Sequence, residues 1–204
     1  MPYPSFANWW NWKRVGEHIK SLRGRLGFEE GEEIHFLRFK LNTNNGEIYD
    51  EILNRMLKDV EAVEIYYVLY MYSQTLQDTG ETGEHGTFIE IFKSSGDIAI
   101  AHCPEFRAAC KRLEEVFGKN PKLLHQAAKM FKHEILDYGD ISIKLYALPR
   151  IPIIITIWGG DEELPPSSTI MFDKSVINYL PDCEALVRLT KIAIERLVTT
   201  ATRI

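Results

Sequence analysis

The chain has 204 residues, of which 45% are hydrophobic and 26% are charged, and its formal net charge is -5. This composition is typical of a soluble globular protein with one domain over residues 1–204, and it excludes collagen-like and disordered classes. The acidic balance offers no long-range attraction to nucleic acid or to anionic lipid, so we expect neither as a partner.

The N-terminal half is predicted to contain two helices separated by a strand. Apolar residues at helical intervals predict a Trp-rich helix over Phe6–Leu26, within the N-terminal segment 1–27. Alternation over Glu33–Leu41, before the turn-forming residues 42–46, predicts a strand. Apolar residues then recur every three or four positions over Asp50–Leu76, which predicts an amphipathic helix.

The C-terminal half is predicted to be rich in strands. A glycine-rich loop is expected over Asp78–Gly86, followed by a short strand over Thr87–Phe92. Prolines near helix starts predict helices over Pro104–Phe117 and Asn120–Glu134. The remaining predicted elements are strands over 140–148, 151–158 and 169–172 and a helix over 182–197. This order predicts an α+β fold with a mainly antiparallel sheet, closed by the C-terminal helix.

The chain carries no signal-peptide core and no apolar run near the ~20 residues that a spanning helix needs. We therefore expect a cytoplasmic protein that does not enter a membrane. Its three cysteines lack C-x-x-C spacing, which favours reduced thiols over a structural zinc site. The sequence also lacks G-x-S-x-G, H-E-x-x-H, P-loop and G-x-G-x-x-G signatures.

The loop Gly159–Pro166 is the strongest local candidate for a site. Two glycines let the chain turn out of a buried strand, three acids follow, and two prolines stiffen the exit. The carboxylates of Asp161, Glu162 and Glu163 are candidates to bind a ligand or a divalent cation, and we expect Asp173 to join them. The alternative is an exposed solubilising connection.

Other candidates are dispersed along the chain. His102 and Cys103, at the start of a predicted helix, form a weak candidate metal site. The alternative is that Cys103 is a structural thiol and His102 a surface histidine. His85, in the glycine-rich loop, is a candidate acid, base or axial ligand. Tyr70 and Trp158 are candidates for the wall of a pocket for a flat ligand, with core packing as the alternative. The candidate contacts of a homodimer are Trp9, Trp10 and Trp12.

Four motifs follow one another between Leu148 and Leu180: Leu-Pro-Arg-Ile-Pro at 148–152, Gly-Asp-Glu-Glu at 160–163, Ile-Met-Phe-Asp at 170–173 and Tyr-Leu at 179–180. Together they resemble the closing signature of the domain of unknown function 3786 family, found mainly in anaerobic bacteria and archaea. Upstream features extend the resemblance to about residues 64–197. Leu164 and His85 depart from the family pattern, which usually has Phe and Trp at these places.

The resemblance implies an accessory role in anaerobic one-carbon or corrinoid-related metabolism. Relatives with an N-terminal iron-sulfur motif exist, but this chain lacks those cysteines. We therefore expect a binding protein for a flat cofactor such as a corrinoid or haem, or for a metabolic protein that carries one. The alternative is a carboxylate enzyme, with or without a divalent metal, that uses residues 161–163 and Asp173.

Overall fold

The computed structural model describes the backbone of residues 4–93 and 97–204 and the side chains of residues 6–93 and 104–204. The described helices are α1 (Pro4–Trp9), α2 (Trp12–Lys20), α3 (Asp59–Ser73), α4 (Phe88–Phe92), α5 (Asp97–Phe117), α6 (Lys122–Ala128), α7 (Val176–Tyr179) and α8 (Cys183–Ala201). The described strands are β1 (Glu33–Phe36), β2 (Phe39–Asn42), β3 (Ile48–Asp50), β4 (Arg55–Met56), β5 (His85–Thr87), β6 (His133–Leu136), β7 (Ile141–Leu148), β8 (Ile151–Trp158) and β9 (Ser167–Asp173).

The strands form two antiparallel sheets, in the orders β1-β2-β3-β4 and β5-β9-β8-β7-β6. Helices α5, α6 and α8 pack on the larger sheet, and α3 packs on α8. The predicted α+β class, with an antiparallel sheet and a closing C-terminal helix, is confirmed. Within the described residues, every helix is too short or too polar to cross a bilayer.

The prediction of one continuous N-terminal helix is wrong, because the segment forms two helices, α1 and α2. Asn11 has extended backbone dihedrals, with φ -126° and ψ 158°, and this separates α1 from α2. Helix α2 ends at Lys20, short of the predicted Leu26. The apolar pattern was nevertheless informative, because Val15, Ile19 and Leu22 are buried.

The single strand predicted over Glu33–Leu41 is a hairpin of β1 and β2 with a two-residue turn at Leu37 and Arg38. Ile34 pairs with Leu41 and Phe36 pairs with Phe39 across the hairpin, so the apolar residues still share one face. The helix predicted over Asp50–Leu76 begins only at Asp59, because β3 and β4 occupy its first part.

The larger sheet contains the three strands predicted for the C-terminal half, and β8 is buried along nearly all its length. Edge strand β6 replaces the end of the helix predicted to reach Glu134, since α6 stops at Ala128. The strand predicted over Thr87–Phe92 is also wrong. Thr87 and Glu90 form a capping box that starts helix α4 there.

The end of α5 at Phe117 and the start of α8 at Cys183 agree with the predictions to within one residue. Asp182 caps the last helix, and its carboxylate accepts a hydrogen bond from the Ala185 amide at 2.8 Å. Helix α8 continues to Ala201, four residues past the predicted end. Helix α5 starts before Pro104, which therefore lies inside the helix instead of at its first turn.

Candidate functional site

The acidic loop between β8 and β9 is exposed at Asp161, Glu162 and Glu163. The Asp161 carboxylate accepts hydrogen bonds from the Glu163 and Leu164 amides, both at 2.8 Å. These bonds lower the pKa of Asp161. The carboxylate of Asp161 therefore shapes its own turn.

Asp173 lies at the other end of β9 and is fully buried. Its carboxylate accepts hydrogen bonds from the Thr82 amide and hydroxyl (2.9 Å each), the Gly83 amide (2.7 Å) and the Ser175 amide (2.8 Å). Burial alone would raise the pKa of Asp173, but the hydrogen bonds from Ser175 and Thr82 outweigh it and lower the pKa to about 2. Asp173 thus anchors the loop before β5.

The structure does not bring Asp161 and Asp173 together. They are separated by the seven residues of β9, which span about 20 Å at the usual rise per residue. Among the described residues, no three His, Cys, Asp or Glu side chains are grouped to hold a metal ion. The alternative of a shared ion at residues 161–163 and Asp173 therefore has no geometric basis.

The other predicted ligand-binding residues lie in separate places. His85 is exposed on β5 and pairs with Asp173 in the strand register. Trp158 ends β8 and is 41% exposed. Tyr70, on α3, contacts the rings of Trp10 and His18. His85 and Asp173 are neighbours in the sheet and Trp158 lies just before the acidic loop, whereas Tyr70 lies apart on α3.

The weak metal candidates, His102 and Cys103, have side chains that lie outside the described residues. Cys110 is half-buried, and burial raises the pKa of its thiol to about 11. Burial also raises the pKa of the buried Cys183 thiol. Both described cysteines are therefore protonated thiols at neutral pH.

The three tryptophans expected at a dimer contact differ in exposure. Trp9 is 62% exposed, with the Arg14 guanidinium 4.7 Å from its ring centroid. Trp10 and Trp12 instead pack within the fold, against Tyr67 and Tyr66 respectively. Pairing of two copies through these tryptophans stays a prediction, and only Trp9 presents most of its ring to solvent.

A cleft of about 760 Å³ lies where the smaller sheet meets one edge of the larger sheet. One wall comes from residues 27–33 and the β1–β2 hairpin, and the other comes from residues 130–132 and the end of β7. Aromatic side chains contribute to both walls: Phe28, Phe36, Phe39, Phe131 and Tyr146. The volume is within the range of about 300–1,000 Å³ common for ligand sites.

The polar groups of the cleft include one histidine beside a carboxylate. The His35 ring Nε2 lies 3.0 Å from the Glu33 carboxylate, and the His35 side chain is 56% exposed. Glu51 contacts Arg38 at 3.1 Å and Lys40 at 3.0 Å, so the carboxylate of Glu51 is paired. His35 and Glu33 thus form an exposed pair in this wall, apart from the Glu51 ion pairs.

Charge in the cleft is unevenly distributed. Its lining includes five glutamates: Glu29, Glu30, Glu32, Glu33 and Glu51. The lining cations are Arg38, which pairs with Glu51, and Lys132, whose amine lies 4.5 Å from the Tyr146 ring centroid. The cleft thus favours hydrogen-bond donors over anions.

This cleft is not among the sites predicted from the sequence. A local signal was present, because Glu32 and Glu33 directly precede Ile34 and His35. The opposing wall is contributed by residues about 100 positions later, and no local pattern indicates that the two segments meet.

The family model described as Domain of unknown function (DUF3786) matches residues 37–196, roughly three quarters of the chain. The chain therefore belongs to this family. No curated protein and no solved structure matches it.

Proposed function

We propose that this member of the DUF3786 family is a binding or accessory protein that holds a flat, metal-containing cofactor in the cleft between its two sheets. The cofactor class is a corrinoid or haem, taken up free or presented by a carrier protein. The proposed setting is the cytoplasm of an anaerobe, in one-carbon or corrinoid-related metabolism, as the family resemblance implies. The observation that carries the proposal is His35, held by Glu33 in the wall of a cleft of about 760 Å³.

The His35–Glu33 pair has the chemistry of an axial ligand. A histidine that binds a metal commonly donates its other ring N–H to a carboxylate, which fixes the tautomer and raises ligand basicity. When His35 donates from Nε2 to Glu33, its Nδ1 keeps a free lone pair. Exposure of the side chain leaves that nitrogen accessible to a ligand.

One wall offers an aromatic ring to a flat ligand. Tyr146 is partly exposed, whereas Phe28, Phe36 and Phe131 line the cleft but are each no more than 9% exposed and belong to the core. Aromatic surface of this kind stacks on planar ligands through dispersion and offset ring contacts.

The charge of the lining favours a corrinoid over haem. The side groups of a corrinoid are mainly amides, which donate hydrogen bonds to carboxylates, whereas haem carries two anionic propionates. The glutamates of the lining would repel the propionates of haem and accept hydrogen bonds from the amides of a corrinoid. We therefore expect tighter binding of corrinoid than of haem.

Absorption titration tests the proposal directly. The full chain, purified without oxygen, is titrated with aquocobinamide and separately with haemin. We expect a shifted absorption band with aquocobinamide, a weaker response with haemin, and loss of the shift in His35→Gln. His85→Gln, which alters an exposed histidine outside the cleft, is the matched control and should bind like the wild type.

Three outcomes would overturn the proposal. The first is that neither cofactor shifts its band. The second is an equal shift in wild type and His35→Gln, which would mean that His35 does not bind the metal. The third is loss of the shift in His85→Gln alone, which would locate the site at the β5 histidine.

A further inference from the structure

The β1–β2 turn has an unusual backbone for its sequence. Leu37 and Arg38 have φ values of 46° and 62°, in the left-handed region that favours glycine. Two-residue hairpin turns with positive φ at both positions usually contain Asn-Gly or similar residues. Non-glycine residues hold such a conformation when surrounding contacts impose it.

Arg196 of α8 supplies those contacts. Its Nε donates to the Leu37 carbonyl at 2.9 Å, and one terminal nitrogen donates to the Arg38 carbonyl at 3.3 Å. Its other terminal nitrogen donates to the Asp50 carboxylate at 2.7 Å. The guanidinium also lies 4.0 Å from the Phe39 ring centroid. One buried side chain therefore binds both carbonyls of the turn.

Both carboxylate oxygens of Asp50 accept hydrogen bonds in this arrangement. Asp50 is buried, and its second oxygen accepts from the Ile52 and Leu53 amides, each at 2.9 Å. A planar guanidinium can hold the two carbonyls and the carboxylate at once because its donors form a rigid fork. A lysine ammonium is a compact charge on a flexible stem and cannot match that geometry.

The turn lies in the wall of the cleft. Leu37, Arg38 and Phe39 all line it, and the turn begins two residues after His35. We infer that Arg196 is a positioning residue for the cofactor site: it holds the strained turn and so sets the shape of the wall that carries His35. The identity of the ligand rests on the proposed function, whereas the role of Arg196 in holding the turn rests on its observed contacts.

Hydrogen exchange on the full chain tests the positioning role without a ligand. In Arg196→Lys we expect amides of residues 36–40 to exchange at least tenfold faster, while amides of β7 and β8 are unchanged. Arg188→Lys is the control, since Arg188 is another ion-paired arginine of α8, half-buried where Arg196 is buried, and lies outside the cleft. Unchanged exchange of the turn in Arg196→Lys would overturn the inference.

A second variant tests whether strain is what Arg196 opposes. Glycine adopts the Arg38 conformation freely, so Arg38→Gly combined with Arg196→Lys should restore turn protection to within about twofold of the wild type. If Arg196→Lys does not fold, folding of the double variant supports the inference. Failure of both to fold, or no restoration of protection, would make Arg196 a general structural residue and overturn it.

Aquocobinamide affinity then connects the turn to the site. We expect at least a fivefold rise in the dissociation constant in Arg196→Lys and no change in Arg188→Lys. Faster exchange with unchanged affinity would overturn the positioning role. Absence of binding to the wild type would refute the proposed function, while the exchange data would still decide whether Arg196 holds the turn.

Discussion

Replacing Asp173 by Asn removes the charge from a carboxylate that is fully buried and accepts four hydrogen bonds. The Asn carbonyl oxygen can still accept hydrogen bonds from Thr82 and Ser175. The Asn NH2 group would instead face the Gly83 N–H, and this hydrogen bond would be lost because both groups are donors. Hydrogen bonds to charged groups contribute about 1.5–3 kcal/mol each, and an unmatched buried donor adds to the loss. We expect Asp173→Asn to lower the free energy of unfolding at pH 7 by about 2–4 kcal/mol.

The same carboxylate gives a pH signature. Its pKa falls from 3.8 to about 2 on folding, so its stabilisation is present above about pH 4 and is lost as the pH falls towards 2. This lowering corresponds to about 2 kcal/mol. The difference in stability between wild type and Asp173→Asn should therefore shrink by about 2 kcal/mol between pH 5 and pH 2.

Denaturant unfolding followed by circular dichroism measures both effects. Asp161→Asn is the control, because the Asp161 carboxylate also accepts hydrogen bonds from backbone amides but is exposed. We expect this variant to lose less free energy of unfolding. A loss below about 1 kcal/mol at pH 7, or a difference that does not change between pH 5 and pH 2, would refute the role given to Asp173.

Two further predictions concern packing and helix capping. A Cβ at Gly46 would lie 2.3 Å from ring atoms of Trp12, whereas one at Gly80 would meet nothing within 4 Å, and both have positive φ. Gly46→Ala should therefore lower the free energy of unfolding by about 1–3 kcal/mol more than Gly80→Ala does, and equal losses would contradict the contact. Asp182→Ala should cost about 0.5–2 kcal/mol, because it removes the α8 cap and the acceptor of the Tyr67 hydroxyl. Asp182→Asn keeps an acceptor oxygen and should lose less, so equal unfolding midpoints for the two variants would argue against the cap.

Local patterns predicted the elements whose structure depends on neighbouring residues. The apolar run over Ile151–Trp158 predicted a buried strand, and the helical pattern over 182–197 predicted α8. Predictions failed where two local signals competed. At Thr87–Glu90 the capping box favoured a helix, although the apolar residues that follow were interpreted as a strand.

The candidate site was predicted less well than the fold. The acidic loop at residues 161–163 was selected for its local composition, yet its carboxylates are exposed and separated from Asp173 by the length of β9. Composition indicates which groups a loop carries, but which groups converge depends on strand direction and register.

From its sequence alone, this chain could be assigned an α+β class, its main apolar strands and its closing helix, because hydrophobic periodicity and capping act over a few residues. The tertiary structure decided the Leu37–Arg38 turn, since the side chain that holds it is Arg196, 159 residues from Leu37. It also decided the cleft, whose walls come from residues 27–39 and 130–149. Contacts over such separations arise only when the whole core packs, so no local pattern encodes them.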